Sequence, residues 1–503
     1  MSAGPAGQRG GPAPELVAAG YAWETADAPE LHDALNLADL AHAVELVDRG
    51  IVPDAARPAL LGALLDMATL SVDAVGYDPG HGELYDARER SLERRIGADA
   101  GWLRAGRTRR EAVRTALRIR LRGQLLDLVA EASALADALA DRAEEHVATL
   151  MPDHTYLQQA QPTTFGHYLL SFADPALRDA GRLLAEFDHV NAAPVGSGAA
   201  NGSRILDDRT ATARALGFDR AIEHTRDAMW QFDPFLHVLT GATSLALNQD
   251  KLAEDLEIFA SAEFGFVGLA DAYSRPSIVM PQKRNPYALT VIRGSAGVLI
   301  GRLAGQAAVA KSPSARSDNL IYLYGELPRA LDLALRVTRL TTGVVRTLVA
   351  DAGRMRAALS AGFSHATDLA ELLMARFGTD YRTAHRVVRA AVHVAAGRDG
   401  DAAVLDSDAI ARGAAEVVGR AWRVADEELR AKLSPRALVD SRTALGGAAE
   451  APMRDMMTRV RRRAAEVRDD AGTRRRAIDA AERAVRDRAE RLAGQTPRSI
   501  EAQ

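Results

Sequence analysis

The sequence predicts an all-α protein built on a long central helical bundle, and three observations carry that expectation. Apolar residues recur three and four positions apart over long windows. Strand-like alternation is scarce, with aromatics at only 5%, and no strand–helix–strand rhythm appears. Taken in order, Leu31 to about Val75 reads as two helices around the turn DRGIVP at 48–53. Roughly 108–148, rich in Ala, Leu, Arg and Glu, reads as one long helix. Helical patterns follow at about 163–189, 224–270, 286–310, 326–350 and 365–390. The resulting division is a flexible leader at 1–20, an N-terminal helical domain at 21–110, a central bundle at 111–350, a C-terminal helical domain at 351–450 and a charged helical extension at 451–503. The leader, rich in Gly, Ala and Pro, holds too little apolar surface to order itself. The extension reads as two charged helices joined near Gly472. Its acidic residues are spaced to pair with its arginines, which fits a solvated cap or an oligomer contact better than a nucleic-acid surface.

Composition narrows the chemistry. The 503 residues suffice for one large core or two to three domains, and 47% hydrophobic with 26% charged residues describes a globular chain. A net charge of −4 gives no bulk drive toward nucleic acid. The absence of cysteine excludes disulfides, thiolate nucleophiles and thiolate metal sites, and the 12 histidines show no HExxH or comparable spacing. Neither a metal nor an organic cofactor is expected. The N-terminus lacks an apolar signal core, and no charge-free span approaches the roughly 20 residues that cross a bilayer, so a cytoplasmic location without a membrane partner is the expectation.

The most informative segment is YSRPSIVMPQKRNP, Tyr273 to Pro286, between two helical patterns. Its prolines argue against a continuous helix. Ser277, Gln282, Lys283 and Asn285 supply one candidate base, one cation and two amide donors, the components for removing a carbon-bound proton beside a carboxylate. An ordinary serine hydroxyl is a poor base, so lysine and backbone donors must stabilise its alkoxide before it can act. From the residues alone, an exposed turn with a salt-bridging lysine is an equal alternative.

This loop resembles the signature GSSxMPxKxNP of argininosuccinate lyase and the aspartase/fumarase superfamily. Ser277, Met280, Pro281, Lys283, Asn285 and Pro286 match, and Gln282 fills a variable position. The resemblance extends from about residue 25 to 450. It implies that fold, with Ser277 as the base, Lys283 and Asn285 on a substrate carboxylate, and a loop that closes to exclude water. The stretch MPDHTYLQQAQP, Met151 to Pro162, is similar to the family's THLQxAQP region, with Thr155, Gln158 and Gln161 as substrate-facing residues. The family's histidine, a general acid or charge relay, is Tyr156 here, and His154 stands two positions earlier. An unperturbed tyrosine titrates near 10 and histidine near 6.5, so the two differ as acids. The stretch LRAGRTRRE, Leu103 to Glu111, resembles the family's LHTGRSRND. Arg104, Arg107, Thr108 and Arg110 become candidates for binding substrate, with plain helix-surface charge as the alternative. The family's tyrosine–glutamine–lysine segment is replaced by Ser314 to Asn319, where Arg316 and Ser317 are the candidates.

Within the loop, Pro276 and Ile278 replace the usual Gly and second Ser. Together with Arg104, Arg110 and Tyr156, these departures point away from argininosuccinate and toward another N-substituted aspartate or related succinate, cleaved to fumarate and an amine in specialised metabolism. Authentic argininosuccinate lyase and a noncatalytic structural or binding homologue are the alternatives. The resemblance further implies a homotetramer with composite active sites.

Overall fold

The structure, a computed structural model, describes residues 11–313, 318–360, 362–396 and 405–494. Helices α1 (Ala28–Asp48) and α2 (Arg57–Met67) flank the expected turn, and α3 (Leu84–Ile96) leads into α4 (Arg109–Glu145). Helices α5 (Ala173–Val190), α6 (Asp233–Phe259), α7 (Tyr287–Ala310) and α8 (Glu326–Thr347) complete the bundle around α4. Helices α9 (Ala366–Phe377), α10 (Tyr381–Ala396) and α11 (Ser407–Val418) form a second core, where Trp422 stacks on Phe377 at 4.6 Å. The all-α expectation holds, with short strands only at connections.

Helix α4 starts where Thr108 Oγ1 accepts the Glu111 N–H at 3.3 Å, an N-cap that the backbone of a free helix end requires. Its 37 residues extend about 55 Å at 1.5 Å per residue. Leu121, Leu125, Leu128, Leu135 and Leu139 along it are buried, so the neighbouring helices cover it on several sides.

Several boundaries differ from the sequence patterns. The stretch at 163–189 is preceded by an antiparallel hairpin, β1 (Leu150–Thr155) and β2 (Gln158–Thr164), which two facing prolines, Pro152 and Pro162, disguise as loop and whose last two residues displace the helix start to Phe165. The long pattern at 365–390 breaks at Gly378, whose left-handed φ of 60° ends α9. Of the leader, residues 1–10 lie outside the described residues, while Pro14–Leu16 and Val17–Tyr21 are helical and run into Ala22–Thr25, where Trp23 packs on Tyr322 and Glu24 is buried against Arg110.

The extension is corrected most. It is one helix, α12 (Glu450–Ala493), running straight through Gly472. Met457, Ala464, Ala471, Ile478 and Val485 are buried at seven-residue intervals and join the same core as Ala28 and Leu121. Arg461 pairs with Asp141 and Glu144, Arg468 with Asp137 and Arg475 with Asp127, so α12 runs antiparallel to α4. These contacts outweigh the roughly 1 kcal/mol that a mid-helix glycine costs relative to alanine. Helix α7 is long and apolar enough to cross a bilayer by length and composition, although it carries Arg293 and Arg302 and only a third of its apolar window is buried.

Candidate active site

The signature loop is itself a small hairpin, β3 (Arg275–Pro276) paired with β4 (Arg284–Asn285). Ser277 sits at its turn. The Ser277 N–H donates to Lys283 O at 3.1 Å and the Lys283 N–H to Met280 O at 3.0 Å, which fixes the curl of the chain. The N–H groups of Val279 and Met280 then point at Ser277 Oγ, at 3.3 and 3.0 Å. Two backbone dipoles on one hydroxyl oxygen favour its deprotonated form. Asn285 Nδ2 donates to Arg275 O at 3.1 Å and so braces the base of the loop. Gln282 and Lys283 are exposed, Met280 is 42% exposed, and Ile278 is fully exposed at the tip.

The β1–β2 hairpin stands at the same end of the bundle. Its tip places Tyr156 and Leu157 at φ 55° and 58°, a left-handed pair without glycine, and Tyr156 is 99% exposed. Thr155 and Gln158 face each other across that turn and are exposed, as is Gln161. His154 points elsewhere. Its ring packs among Phe259, Phe264 and Phe266, its Nδ1 is buried without a hydrogen bond, and burial lowers its pKa. Beneath it Tyr168 donates to Asp255 at 3.0 Å.

The arginine-rich segment lies at the opposite end, at the start of α4. Arg107 is buried and donates to Asp39 Oδ1 at 2.5 Å and Ala38 O at 3.1 Å. Arg110 pairs with Glu24 at 3.1 Å and Glu83 at 2.7 Å. Arg104, the most exposed of the three, pairs with Glu89. Thr108 Oγ1 also donates to Gly198 O at 3.2 Å. With Tyr85 these residues line a cavity of about 340 Å³. Burial raises Glu24 to about 7, against the pull of Arg110. Glu24, a partner of Arg110, carries no signal in the sequence because 86 residues separate the two. Arg316 and Ser317 lie outside the described residues. No cluster of three or more His, Asp or Glu suited to a metal occurs among the described residues.

Glu111 clamps a turn at residues 196–199 (GSGA) onto this end: its oxygens accept the N–H groups of Gly196 at 2.7 Å and Gly198 at 2.8 Å. Gly198 has φ 59°, and a Cβ there would lie 2.6 Å from Gly202 O, so only glycine fits. Burial raises Glu111 from 4.5 to about 7, although both amides and Arg107 favour its ionised form. The folded protein therefore holds this proton more tightly than the unfolded chain, and the contribution is full below pH 4.5 and lost as pH rises to about 7. Glu111→Gln removes the ionisation and sets an amide against one backbone donor. The variant is expected to be less stable throughout, but its urea midpoint should fall less between pH 4.5 and 7 than that of the parent. Equal slopes would contradict the assignment.

Two of the three segments lie at the same end of the bundle. The hairpin and the signature loop share an end through His154 and the phenylalanines that follow α6, whereas Arg104–Arg110 lie about 55 Å away along α4. A site using all three draws on more than one chain.

Known proteins match this arrangement. Residues 60–301 match the lyase family and residues 363–440 match the argininosuccinate lyase C-terminal family. The chain is 34% identical to argininosuccinate lyase of Methanoculleus marisnigri over 82% of this chain and 83% of that one. It is 34% identical to that of Halobacterium salinarum over 82% and 81%. Among solved structures, an EDDS lyase variant with bound fumarate superposes with a TM-score of 0.85 at 24% identity, covering 97% of each chain. Class II fumarase from Schistosoma mansoni superposes with a TM-score of 0.67 at 14% identity, covering 81% and 90%. A resemblance first carried by one loop thus extends over most of the chain, which belongs to the argininosuccinate lyase family of the aspartase/fumarase superfamily and is a carbon–nitrogen lyase.

Proposed function

We propose that the chain eliminates an amine from an N-substituted aspartate or related succinate, releasing fumarate, with Ser277 as the base. The observation that carries this reading is the pair of backbone N–H groups, from Val279 and Met280, aimed at Ser277 Oγ beside Lys283. The Ser277 alkoxide takes a proton from the carbon β to the departing nitrogen. The electrons collect on the adjacent carboxylate, where the Lys283 ammonium offsets the growing charge, and then return to expel the nitrogen. The leaving amine needs a proton, and Tyr156, at the exposed hairpin tip, is the donor in this reading. His154, enclosed by phenylalanines, is the weaker candidate. The carboxylate partners of Arg104, Arg107 and Arg110 leave little positive charge for a second substrate carboxylate, which favours a leaving group other than arginine.

The composite site is assigned to a homotetramer. Its support is the 55 Å separation, about the length of α4, and the unpacked face of α7, where Val298 and Ile300 are each 48% exposed. A cytoplasmic enzyme of specialised metabolism is the setting this reading favours.

Argininosuccinate cleavage is the second reading, favoured by the relatives at 34% identity. Fumarate release followed by ultraviolet absorbance separates the two. A panel of N-substituted aspartates should contain one whose kcat/KM exceeds that of argininosuccinate at least about tenfold, a difference of 1.4 kcal/mol in transition-state binding. Argininosuccinate as the best substrate would establish the second reading.

A further inference from the structure

A cavity of about 780 Å³ opens between α1, α2, α4 and α12, and none of the residues at 103–111, 150–164 or 273–286 lines it. Its wall is apolar where Leu37, Leu40, Leu65 and Ile119 meet. Five charged side chains that line it form no ion pair with any described residue: Arg483 and Arg486 on α12, Asp479 on the same helix, Asp33 on α1 and Asp66 on α2. Elsewhere on α12, Arg461, Arg468, Arg474 and Arg488 have carboxylate partners, while Arg459, Arg476 and Arg491 have none among the described residues. Two amide side chains complete the lining. Asn36 and Gln124 are 4% and 6% exposed. Asn36 Nδ2 is placed against His32 and Gln124 Nε2 donates to Pro328 O, yet Asn36 Oδ1 and Gln124 Oε1 have no hydrogen-bond partner. Buried acceptors without donors are uncommon in folded proteins and call for an explanation.

We propose that this cavity is a binding site for a basic α-amino acid, separate from the lyase site. Charge selects the ligand class. Three unpaired carboxylates, Asp33, Asp66 and Asp479, accompany two unpaired guanidiniums, Arg483 and Arg486, and across the whole lining six carboxylates outnumber four guanidiniums, so negative charge is in excess. A ligand with one carboxylate and two cationic groups offers a partner to both signs and a net charge opposite to that of the cavity. Its carboxylate pairs with Arg483 and Arg486, its two cationic groups pair with the aspartates, and its aliphatic stem covers Leu37 and Leu65. Its N–H donors are of the kind that Asn36 Oδ1 and Gln124 Oε1 lack. A dicarboxylic amino acid would add negative charge to a site already in excess, and is disfavoured.

Calorimetric titration of the assembled full-length protein with L-lysine, without substrate, tests this. One site per chain is expected, with L-glutamate at least about tenfold weaker. The double variant Arg483→Ala/Arg486→Ala should bind L-lysine at least about tenfold less tightly. Its melting temperature should be unchanged, because both side chains are exposed and unpaired. Asp66→Asn, also at an exposed position, should weaken binding in the same way. Ser277→Ala should bind L-lysine as the parent does, which separates this site from the reaction centre. No binding by the parent up to about 10 mM would overturn the proposal, as would affinity undiminished in the double variant.

Discussion

Ser277→Ala is expected to lower kcat for fumarate release by about 10²–10⁴-fold, the usual contribution of a positioned base, while leaving the melting temperature unchanged. The reason for both halves lies in the loop. Ser277 Oγ accepts two backbone N–H groups from an otherwise exposed turn, and the chain curl is held separately by the Ser277 N–H to Lys283 O and the Lys283 N–H to Met280 O bonds. Removing the hydroxyl leaves those backbone bonds in place and exposes the freed N–H groups to water, so folding loses little. The proposed reaction loses its base. Lys283→Met should also reduce kcat, through lost charge stabilisation, and should raise KM as well if the ammonium holds substrate in the ground state. Activity of Ser277→Ala equal to that of the parent would refute the assigned base.

Asp39→Ala should be the most damaging single change to stability, at about 3–5 kcal/mol, the scale of a broken buried ion pair. Asp39 is fully buried and accepts from Tyr85 Oη at 2.8 Å, Arg88 Nε at 2.6 Å and Arg107 Nη2 at 2.5 Å. Burial alone would raise its pKa, but Arg88 and Arg107 overcome that and hold it below the usual range. Without it, two enclosed guanidiniums lose their counter-ion. The effect should reach function too, since Arg107 opens the segment carrying Thr108 and Arg110. Asp207→Ala, which removes an exposed partner of Arg49, is the control and should leave the urea midpoint where it was. A shift for Asp39→Ala no larger than the control's would show that the cluster contributes little.

The long helices were legible because their apolar spacing persists over many turns, as in α4 and α6, and tertiary packing did not have to override it. The β1–β2 hairpin was not, since Pro152 and Pro162 remove ladder donors and Tyr156 and Leu157 turn the chain without glycine. The continuity of α12 was hidden for the opposite reason: local sequence offers a break at Gly472, while the seven-residue series from Met457 to Val485 and the pairing with α4 maintain the helix. In the candidate site, Ser277 and Lys283 were visible as a motif. Two of the carboxylates around Arg107 and Arg110 were not, because Asp39 and Glu24 arrive from distant positions through packing alone.

The antiparallel seat of α12 also sets an order of events during synthesis. Arg122 meets Glu482, 360 residues later, and Met453 to Ala489 close over a core begun by Ala28. While the ribosome is still making the second half of the protein, the flank of α4 that carries Gly123, Asp127, Asp137 and Asp141 waits uncovered. Maturation of the nascent chain is therefore a late, single closure, and a chaperone that shields that flank until α12 emerges would act on the step at which aggregation competes with folding.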